Sequence, residues 1–275
     1  MTLSETLRPA ALAGIAAAVS TSAAVAESDF YGLYPVNVAP DFVAVGYGQI
    51  PAYIGSDEYI DGVVPAARLT RGNRFVALNG NFVSANVLEH PNIRIGPVAR
   101  LRFGRQRDNF DDPVVATLPE IDMTLELGGF TNWTSINPTD PRIRWQVGLD
   151  VTTDVLDEHG GTVTSLYARQ FFGVGRFGVA GVAIAGSHGT GSYMDTFFGV
   201  PGGTALPEYT ARGGLRDVRF QAGIIQPVSP RWAIGAGFQY TQLIGDAADS
   251  PIVSERGSVD QWLVGFGLTY ILGSG

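Results

Sequence analysis

The chain is poor in charge and lacks cysteine and lysine altogether. Only 16% of its 275 residues are charged, and all 18 basic residues are arginines. Globular chains average roughly 25% charged residues. An absence of thiols fits an oxidising compartment such as a bacterial envelope. The net charge of −8 and the lack of a clustered basic stripe argue against a nucleic-acid ligand, whose phosphates need cationic side chains.

Long apolar runs are missing as well, except near the N-terminus. A membrane-spanning helix needs ~20 consecutive apolar residues, and no such run follows the first segment. Arg8 precedes an alanine-rich apolar stretch over 9–19, and Ala24-Val25-Ala26 provides a small-residue cleavage site. This order predicts a secretory signal peptide over residues 1–26 and a mature protein that starts at Glu27. A short alanine-rich helix is the alternative.

The chain does contain long segments in which apolar and polar residues alternate. Because successive side chains of a strand point to opposite faces, this period of two predicts strands. In residues 93–103, for example, Ile93 and Ile95 alternate with Arg94 and Gly96. The same pattern runs through residues 121–133, 142–155 and 261–272. These segments reach the 9–11 residues that a tilted strand needs to cross a bilayer, whereas soluble strands average ~5–6.

Aromatic residues lie near the ends of these and neighbouring segments: Trp133, Trp145, Trp232, Trp262 and Tyr270. Transmembrane barrels carry aromatic girdles at both membrane interfaces. A soluble β-sandwich would also alternate, with its apolar face inward, but strand length and aromatic placement favour the membrane. We therefore predict an all-β fold, an antiparallel transmembrane β-barrel over residues 27–275, with lipid on the apolar face and the lumen on the arginine- and glycine-bearing face.

Parity decides the expected number of strands. Six more strands are predicted at 42–52, 62–71, 162–171, 177–187, 215–227 and 232–244. Residues 75–88 form either one strand or two strands hinged at Asn79-Gly80, a strong hairpin dipeptide. Bacterial barrels have even strand numbers. We therefore expect about twelve strands, with ten as the alternative. The tight turns at 229–230, 174–175 and 90–91 should face the periplasm, and the long connections 104–120, 188–213 and 245–257 should lie outside.

No residue pattern points to catalysis or to a cofactor. The three histidines are His90, His159 and His188. Ser187 and His188 are adjacent, so on a strand they point to opposite faces and cannot form a nucleophile–base pair. His90 and His159 fall in turns and are predicted to be solvated.

A metal site is not predicted either. Asp108, Asp111 and Asp112 could ligate a divalent cation through oxygen atoms. Their spacing lacks the alternating Asp/Asn ligands and central glycine of a calcium loop, so a solvated outer loop is the preferred interpretation.

The most informative charged residues share the predicted inward face of neighbouring strands. They are Arg94, Arg100, Arg102, Asp122, Glu126, Arg144 and Asp150. Opposite charges across strands stabilise a sheet by ~0.2–1 kcal/mol per pair, so bracing of a small lumen is one interpretation. The other is a polar constriction that selects small solutes.

A motif before the last strand resembles a known family. It reads Leu243-Ile244-Gly245-Asp246-Ala247-Ala248-Asp249-Ser250-Pro251-Ile252-Val253, and its loop residues are Gly245, Asp246, Asp249, Ser250 and Pro251. Supporting segments are residues 53–56, 96–97, 102–105, 193–194 and 197–200, in the same order along the chain. In these segments the sequence resembles the MipA/OmpV family, the MltA-interacting outer-membrane proteins.

The resemblance implies an outer-membrane barrel with a non-enzymatic role. Family members are described as scaffolds that link a murein lytic transglycosylase to a penicillin-binding protein, and others as adhesins or as affecting antibiotic uptake. The implied partners are outer-membrane lipid and periplasmic murein enzymes, with no cofactor and no catalytic residues. A scaffold is thus the leading hypothesis, a narrow porin-like channel the second and a lipid-modifying enzyme the third. Barrel proteins commonly end in an aromatic residue, whereas this chain ends Gly273-Ser274-Gly275; Tyr270 could serve instead, or the last residues could be an added tail.

Overall fold

The structure is a computed structural model that describes residues 41–272, which form a closed barrel of twelve antiparallel strands. The strands are β1 (Phe42–Pro51), β2 (Tyr59–Arg71), β3 (Arg74–Asn79), β4 (Phe82–Asn86), β5 (Ile93–Arg102), β6 (Thr124–Ile136), β7 (Arg144–Asp154), β8 (Thr162–Val174), β9 (Gly178–Gly189), β10 (Gly214–Pro227), β11 (Trp232–Leu243) and β12 (Asp260–Ile271). Strand β1 pairs with β12 and closes the barrel. The predicted signal peptide, the mature start at Glu27 and the terminal residues 273–275 lie outside the described residues.

The strand number confirms the prediction of twelve, because residues 75–88 divide into two strands. β3 and β4 meet in a hairpin whose turn residue Gly80 has φ +59°, a conformation that favours glycine. The hairpin is short, and its ladder with β2 ends where Ala66 faces Asn79. Residues 59–64 of β2 continue beyond that point, paired with β1. The strand wall is therefore interrupted between β2 and β5 above the hairpin tip.

The two faces of the barrel reverse the arrangement of a soluble protein. Large apolar side chains are exposed on the outside, among them Val45, Val264 and Phe266, which is 66% exposed. Arginine, carboxylate and amide side chains are buried inside. Since exposed apolar surface of this extent is unfavourable in water, the outer face is a lipid-facing surface.

Aromatic pairs mark both rims of this apolar band. At one rim the rings of Trp133 and Trp145 are 4.4 Å apart. At the other rim the rings of Tyr240 and Trp262 are 4.6 Å apart. Such rings sit at membrane–water interfaces because they combine an apolar body with a polar tip.

The two ends of the barrel differ in the length of their connections. One end, which we call the turn end, has the tight turns at 72–73, 87–92, 137–143, 175–177 and 228–231. The other, the loop end, has the connections 52–58, 80–81, 103–123, 155–161, 190–213 and 244–259. All three predicted tight turns lie at the turn end, and all three predicted long connections lie at the loop end.

The loops contain the helices α1 (Gly191–Phe198), α2 (Asp246–Asp249) and α3 (Pro251–Ser254), and two 3-10 turns at Arg107–Asn109 and Val115–Thr117. No helix within residues 41–272 is long and apolar enough to cross a bilayer.

The long loops fold together over the barrel mouth instead of extending from it. One apolar cluster joins α1 to the motif loop through Tyr193, Phe198, Leu243 and Val253. A second cluster joins the 52–58 and 103–123 loops through Tyr53, Phe110, Leu118 and Ile252. We call this assembly of loops the plug. The largest apolar clusters of the protein therefore lie at the loop end. The barrel interior beneath them is rich in polar side chains and also holds a smaller apolar cluster of Phe75, Ala77, Phe82, Val98 and Phe130.

Candidate functional site: a charged lumen beneath a plugged mouth

Six of the seven residues of the predicted lumen cluster lie inside the barrel. Each is at most 1% exposed: Arg94, Arg100, Arg102, Glu126, Arg144 and Asp150. Alternation along β5, β6 and β7 places them on the inward face, as the sequence pattern implied.

Asp122 is a correction to that prediction, because it is exposed at the loop end. Strand β6 begins at Thr124, so the alternation seen in sequence from Ile121 starts before the strand does. Ile121 instead bridges Arg105 and is buried in the plug. The backbone N–H of Asp122 donates to Glu158 Oε1 at 2.8 Å, outside the lumen.

Glu126 is the centre of the charged network at the loop-end side of the lumen. The guanidinium of Arg102 binds both carboxylate oxygens of Glu126, with Nη2 donating to Oε2 at 2.9 Å. The Thr152 hydroxyl donates to Oε2 at 2.7 Å. His159 Nε2 lies 3.0 Å from Oε1. A bidentate arginine pair with two further hydrogen bonds is a geometry that makes a buried carboxylate tolerable.

His159 is a second correction, since it is buried and not solvated. Its side chain is 3% exposed, and its ring packs edge-on against Tyr193 at 5.1 Å and Phe197 at 5.7 Å. The 155–161 loop folds inward because Asp154 accepts hydrogen bonds from the backbone N–H groups of His159 and Gly160. Turn composition alone could not reveal this, because the ring contacts come from a distant helix.

Tyr193 of α1 connects the plug to the charged lumen. Its hydroxyl accepts hydrogen bonds from Arg102 at 3.3 Å and Arg216 at 2.5 Å. Both guanidinium groups also lie within 5.3 Å of its ring. The plug is therefore anchored by a phenol that is held between two arginines from opposite parts of the wall.

Strand β10 contributes charges that the sequence prediction missed. Arg216 and Arg219 both pair with Asp217, at 2.5 Å and 3.1 Å. Arg219 also donates to Ser187 Oγ at 2.5 Å. The alternation of Asp217, Arg219 and Gln221 was a readable signal, but a register shift between Leu215 and Asp217 puts both Arg216 and Asp217 inside.

Buried arginines also contact the turns at the turn end. Arg94 donates to the backbone carbonyls of His90 at 2.8 Å and Pro91 at 3.1 Å. Arg144 donates to the carbonyl of Pro141 at 3.1 Å and stacks over Phe171 at 4.1 Å. These side chains tie the tight turns to the interior of the barrel.

The remaining histidine and serine candidates make hydrogen bonds within the fold or lie on its outer face. Ser187 points inward and bonds Ser165 at 3.0 Å, whereas His188 is exposed on the outer face. His90 Nδ1 accepts the backbone N–H groups of Asn92 and Ile93, which shapes the turn between β4 and β5.

The residues of the family-motif loop build the plug. Gly245 has φ +56°, which lets the chain turn sharply after β11. Asp246 Oδ2 accepts the backbone N–H of Arg212 at 2.8 Å, and the Ser250 hydroxyl donates to the carbonyl of Phe198 at 2.6 Å. Pro251 begins α3 and is buried, while Asp249 is exposed. The motif therefore folds over the barrel mouth.

The aspartates considered as cation ligands serve the loop structure. Asp112 caps the turn by accepting the backbone N–H groups of Val114 and Val115, and it pairs with Arg256 at 2.8 Å. Burial alone would raise the pKa of Asp112, but these hydrogen bonds and the Arg256 charge lower it below its usual value. Asp108 and Asp111 are exposed. Among residues 41–272, no three Asp, Glu, His or Cys side chains group closely enough to hold a metal ion.

Burial in the plug also shifts the pKa values of two neighbouring side chains. Desolvation raises the pKa of Tyr53 to about 12. Desolvation likewise lowers the pKa of Arg105 to about 10. Both shifts reflect the exclusion of water from the folded loops.

Comparisons with known proteins agree with the architecture. A family model described as "MltA-interacting protein MipA" matches residues 43–272. Outer membrane protein OmpV of Vibrio cholerae is 34% identical over 121 residues, which make up 42% of this chain and 45% of OmpV. The matched part thus spans less than half the length of that relative.

Two solved outer-membrane proteins share low structural similarity with the chain. In-vitro folded OmpT of Vibrio cholerae is 9% identical to this chain. The match covers 76% of this chain and 60% of OmpT, with a TM-score of 0.33. An outer membrane channel from Pseudomonas putida is 11% identical to this chain. The match covers 85% of this chain and 96% of the channel, with a TM-score of 0.39. With the family model matched over almost all of the described residues, the chain belongs to the MltA-interacting protein MipA family and is an outer-membrane β-barrel.

Proposed function

We propose that the protein is a closed, non-enzymatic scaffold that holds periplasmic murein enzymes at the outer membrane. The observation that carries this proposal is the covered mouth of the barrel: folded loops pack together over it, and arginine networks beneath them occupy the charged side of the interior. A barrel covered in this way favours a role through its surfaces over transport. The family description names an interaction with MltA, a murein enzyme, which supports a partner of the lytic transglycosylase class; a penicillin-binding protein is the second proposed partner.

The turn end is the surface we assign to that partner. Short turns of bacterial barrels face the periplasm. The exposed charged residues there are mainly cationic: Arg71, Arg74, Arg176 and Arg231. Exposed carboxylates gather at the opposite end: Asp57, Asp108, Asp111, Asp122, Asp157, Asp195, Glu208, Asp249 and Glu255. This asymmetry favours an acidic partner surface at the turn end, since complementary charge steers and orients association.

Binding of a purified lytic transglycosylase to the barrel in lipid nanodiscs tests the proposal. A variant with Arg71, Arg74, Arg176 and Arg231 changed to glutamate should bind at least tenfold more weakly. The matched control reverses four exposed carboxylates at the loop end, Asp57, Asp108, Glu208 and Glu255, to arginine and should bind like the wild type. Absence of wild-type binding to both a lytic transglycosylase and a penicillin-binding protein, or equal loss in both variants, would refute the scaffold.

A narrow anion channel is the second candidate, and the balance of buried charge favours it. Within residues 41–272, eight arginines but only four carboxylates are buried. A pore lined with excess cationic side chains selects anions. Planar-bilayer recordings separate the two functions: a closed scaffold gives no conductance steps. Anion-selective steps that lose selectivity on Arg100→Ala would replace the scaffold with the channel.

A further inference from the structure

One side of the lumen is lined by residues with almost no side chain. Ala44, Gly46 and Gly48 of β1, Ala66 of β2, and Gly235 and Gly237 of β11 face inward there. We call these six residues the small-residue wall. They border a cavity of about 120 Å³ whose lining is mostly apolar, with Ile225 and Leu263 facing inward and Asn79 as its amide; outward-facing residues such as Tyr47 and Phe266 border it as well, because the wall is thin at the glycines. Apolar cavities of roughly 150 Å³ stay dry and bind molecules such as benzene.

A second, polar cavity of about 60 Å³ adjoins the first. Arg68, Arg169 and Gln146 line it, and Asn79 borders both cavities. On the inward faces of β1 and β2, the pair Phe42 and Arg68 lines the polar cavity and the next inward pair, Ala44 and Ala66, lines the apolar one. The guanidinium of Arg68 stacks on Phe75 at 4.1 Å, and that of Arg169 stacks on Tyr167 at 4.2 Å. Stacking fixes the planes of the two guanidinium groups beside the cavity. The two cavities therefore lie next to each other, and we treat them as one compartment with a cationic end and an apolar end.

The charge around the polar cavity favours an anionic group. The carboxylate in its lining, Asp150, pairs with Arg100 at 3.3 Å. The interior as a whole buries twice as many arginines as carboxylates. Two guanidinium groups beside one cavity therefore form a site for an anionic head group, because arginine binds carboxylate and phosphate groups.

We propose that this compartment binds a single-chain amphiphile with a small anionic head group, such as a medium-chain fatty acid. Arg68 and Arg169 bind the head group, with Gln146 beside it. The alkyl chain lies along the small-residue wall, where the absence of side chains leaves room for methylene groups. The hairpin tip at Asn79 and Gly80 borders the apolar cavity at the interruption in the strand wall, next to lipid.

Titration of the whole protein in nanodiscs with carboxyl-labelled octanoate, followed by the ¹³C carboxylate resonance, tests the proposal against empty nanodiscs. Octanoate should bind at least tenfold more tightly than acetate, which lacks the chain, and than octanol, which lacks the charge. Each methylene that moves from water into an apolar site strengthens binding about fourfold, so hexanoate should bind more weakly than octanoate.

Two variants locate the ligand, and each has a matched control. Arg169→Gln should weaken octanoate binding at least tenfold, whereas Arg176→Gln, which removes an exposed arginine from a turn, should not. Gly46→Leu should block the chain, whereas Gly129→Leu, on the opposite part of the wall, should leave binding intact. A built Cβ at Gly46 meets its nearest atom at 3.4 Å, and one at Gly129, which faces lipid, at 3.5 Å, so the first carbon of either leucine fits. Heat-sensitive gel migration checks that both variants fold.

Three results would overturn the proposal. Equal affinity for octanol would show an apolar cavity without head-group recognition. Equal affinity for acetate would show an anion site without a chain site. No binding by folded wild-type protein, as judged by its heat-sensitive gel migration, would show an unoccupied interior.

Discussion

The two sides of the lumen are lined by different kinds of residue, charged on one side and small on the other. Strands β5, β6, β7 and β10 send buried ion pairs inward, with Arg102–Glu126 and Arg219–Asp217 as examples. In their middle parts, strands β1, β11 and β12 send glycine and alanine inward, and Gly46 faces Gly267 directly across the closing seam. Both sides expose large apolar side chains on their outer faces.

This contrast shows that lipid constrains one face of a barrel and leaves the other free to diverge. Every outward residue must be compatible with hydrocarbon, so the outer pattern repeats around the wall. The inward residues need only fill or line the lumen. On the charged side, inward ion pairs and hydrogen bonds connect neighbouring strands and hold the plug. On the small-residue side, the inward glycines and alanines leave space for a compartment.

Removal of the Glu126 side chain should give the largest loss of stability, because this carboxylate is the centre of the charged network. Glu126→Ala leaves Arg102 buried without its carboxylate, and breaking a buried pair in this way costs ~3–5 kcal/mol. Urea unfolding in detergent, monitored by gel migration, measures the loss. Asp122→Ala is the control and should change stability by less than about 0.5 kcal/mol, since this exposed residue lies outside the lumen. Similar effects of the two variants would contradict the assignment.

Tyr193→Phe tests whether the plug depends on the charged side. The change keeps the ring but removes the hydroxyl that accepts from Arg102 and Arg216. Hydrogen bonds to charged groups contribute ~1.5–3 kcal/mol. Proteolysis of the 190–213 loop should become faster, while the barrel strands stay protected. An unchanged cleavage rate would show that the stability of the plug does not depend on the hydrogen bonds between Tyr193 and the two arginines.

A pair of glycine substitutions compares the two sides directly. A Cβ built at Gly96 of β5 falls 1.8 Å from the carbonyl oxygen of Ala85, whereas one built at Gly46 has no contact below 3.4 Å. Gly96→Ala should therefore destabilise the barrel by ~1–3 kcal/mol through overpacking. Gly46→Ala should cost less than about 1 kcal/mol. The same unfolding assay measures both, and equal costs would remove the proposed difference in packing.

The smallest effect should come from the Asp112–Arg256 pair at the rim of the plug. The pKa of Asp112 is lowered in the folded protein, so its contribution is present above the usual carboxylate pKa of ~4 and is lost as pH falls through the lower, folded value. The partly exposed pair contributes at most about 1 kcal/mol. Proteolysis of the 103–123 loop should accelerate slightly below pH 4. Asp112→Asn should abolish this pH dependence of proteolysis. If the variant keeps the pH dependence, another titrating group is responsible for it.

The sequence was a good guide wherever a residue lay within a regular strand. Arg94, Arg100 and Arg144 lie inside because period-two alternation fixes which face each side chain takes. Prediction failed where that alternation begins or breaks. Asp122 precedes the true start of β6, and the shift at Leu215 in β10 turns two consecutive charged residues inward.

The loops exceeded what local pattern could predict. His159 has the sequence neighbours of a solvated turn, yet it is buried against Tyr193, which lies in a helix over thirty residues away. The motif at 245–253 was correctly placed among the long connections, but its contacts were not predicted. Its contacts with α1 and with Arg212 appear only once the strands have brought these loops to the same rim.

The sequence by itself determined that the chain is a barrel and which face meets lipid, and it favoured twelve strands over ten. These properties follow from hydrophobicity and the two-residue repeat, which act on each strand separately. The tertiary structure alone decided that the mouth is plugged, that the charges form connected networks and that the glycines of distant strands share one cavity. Those properties depend on which strands and loops become neighbours when the sheet closes, and closure joins residues at opposite ends of the chain.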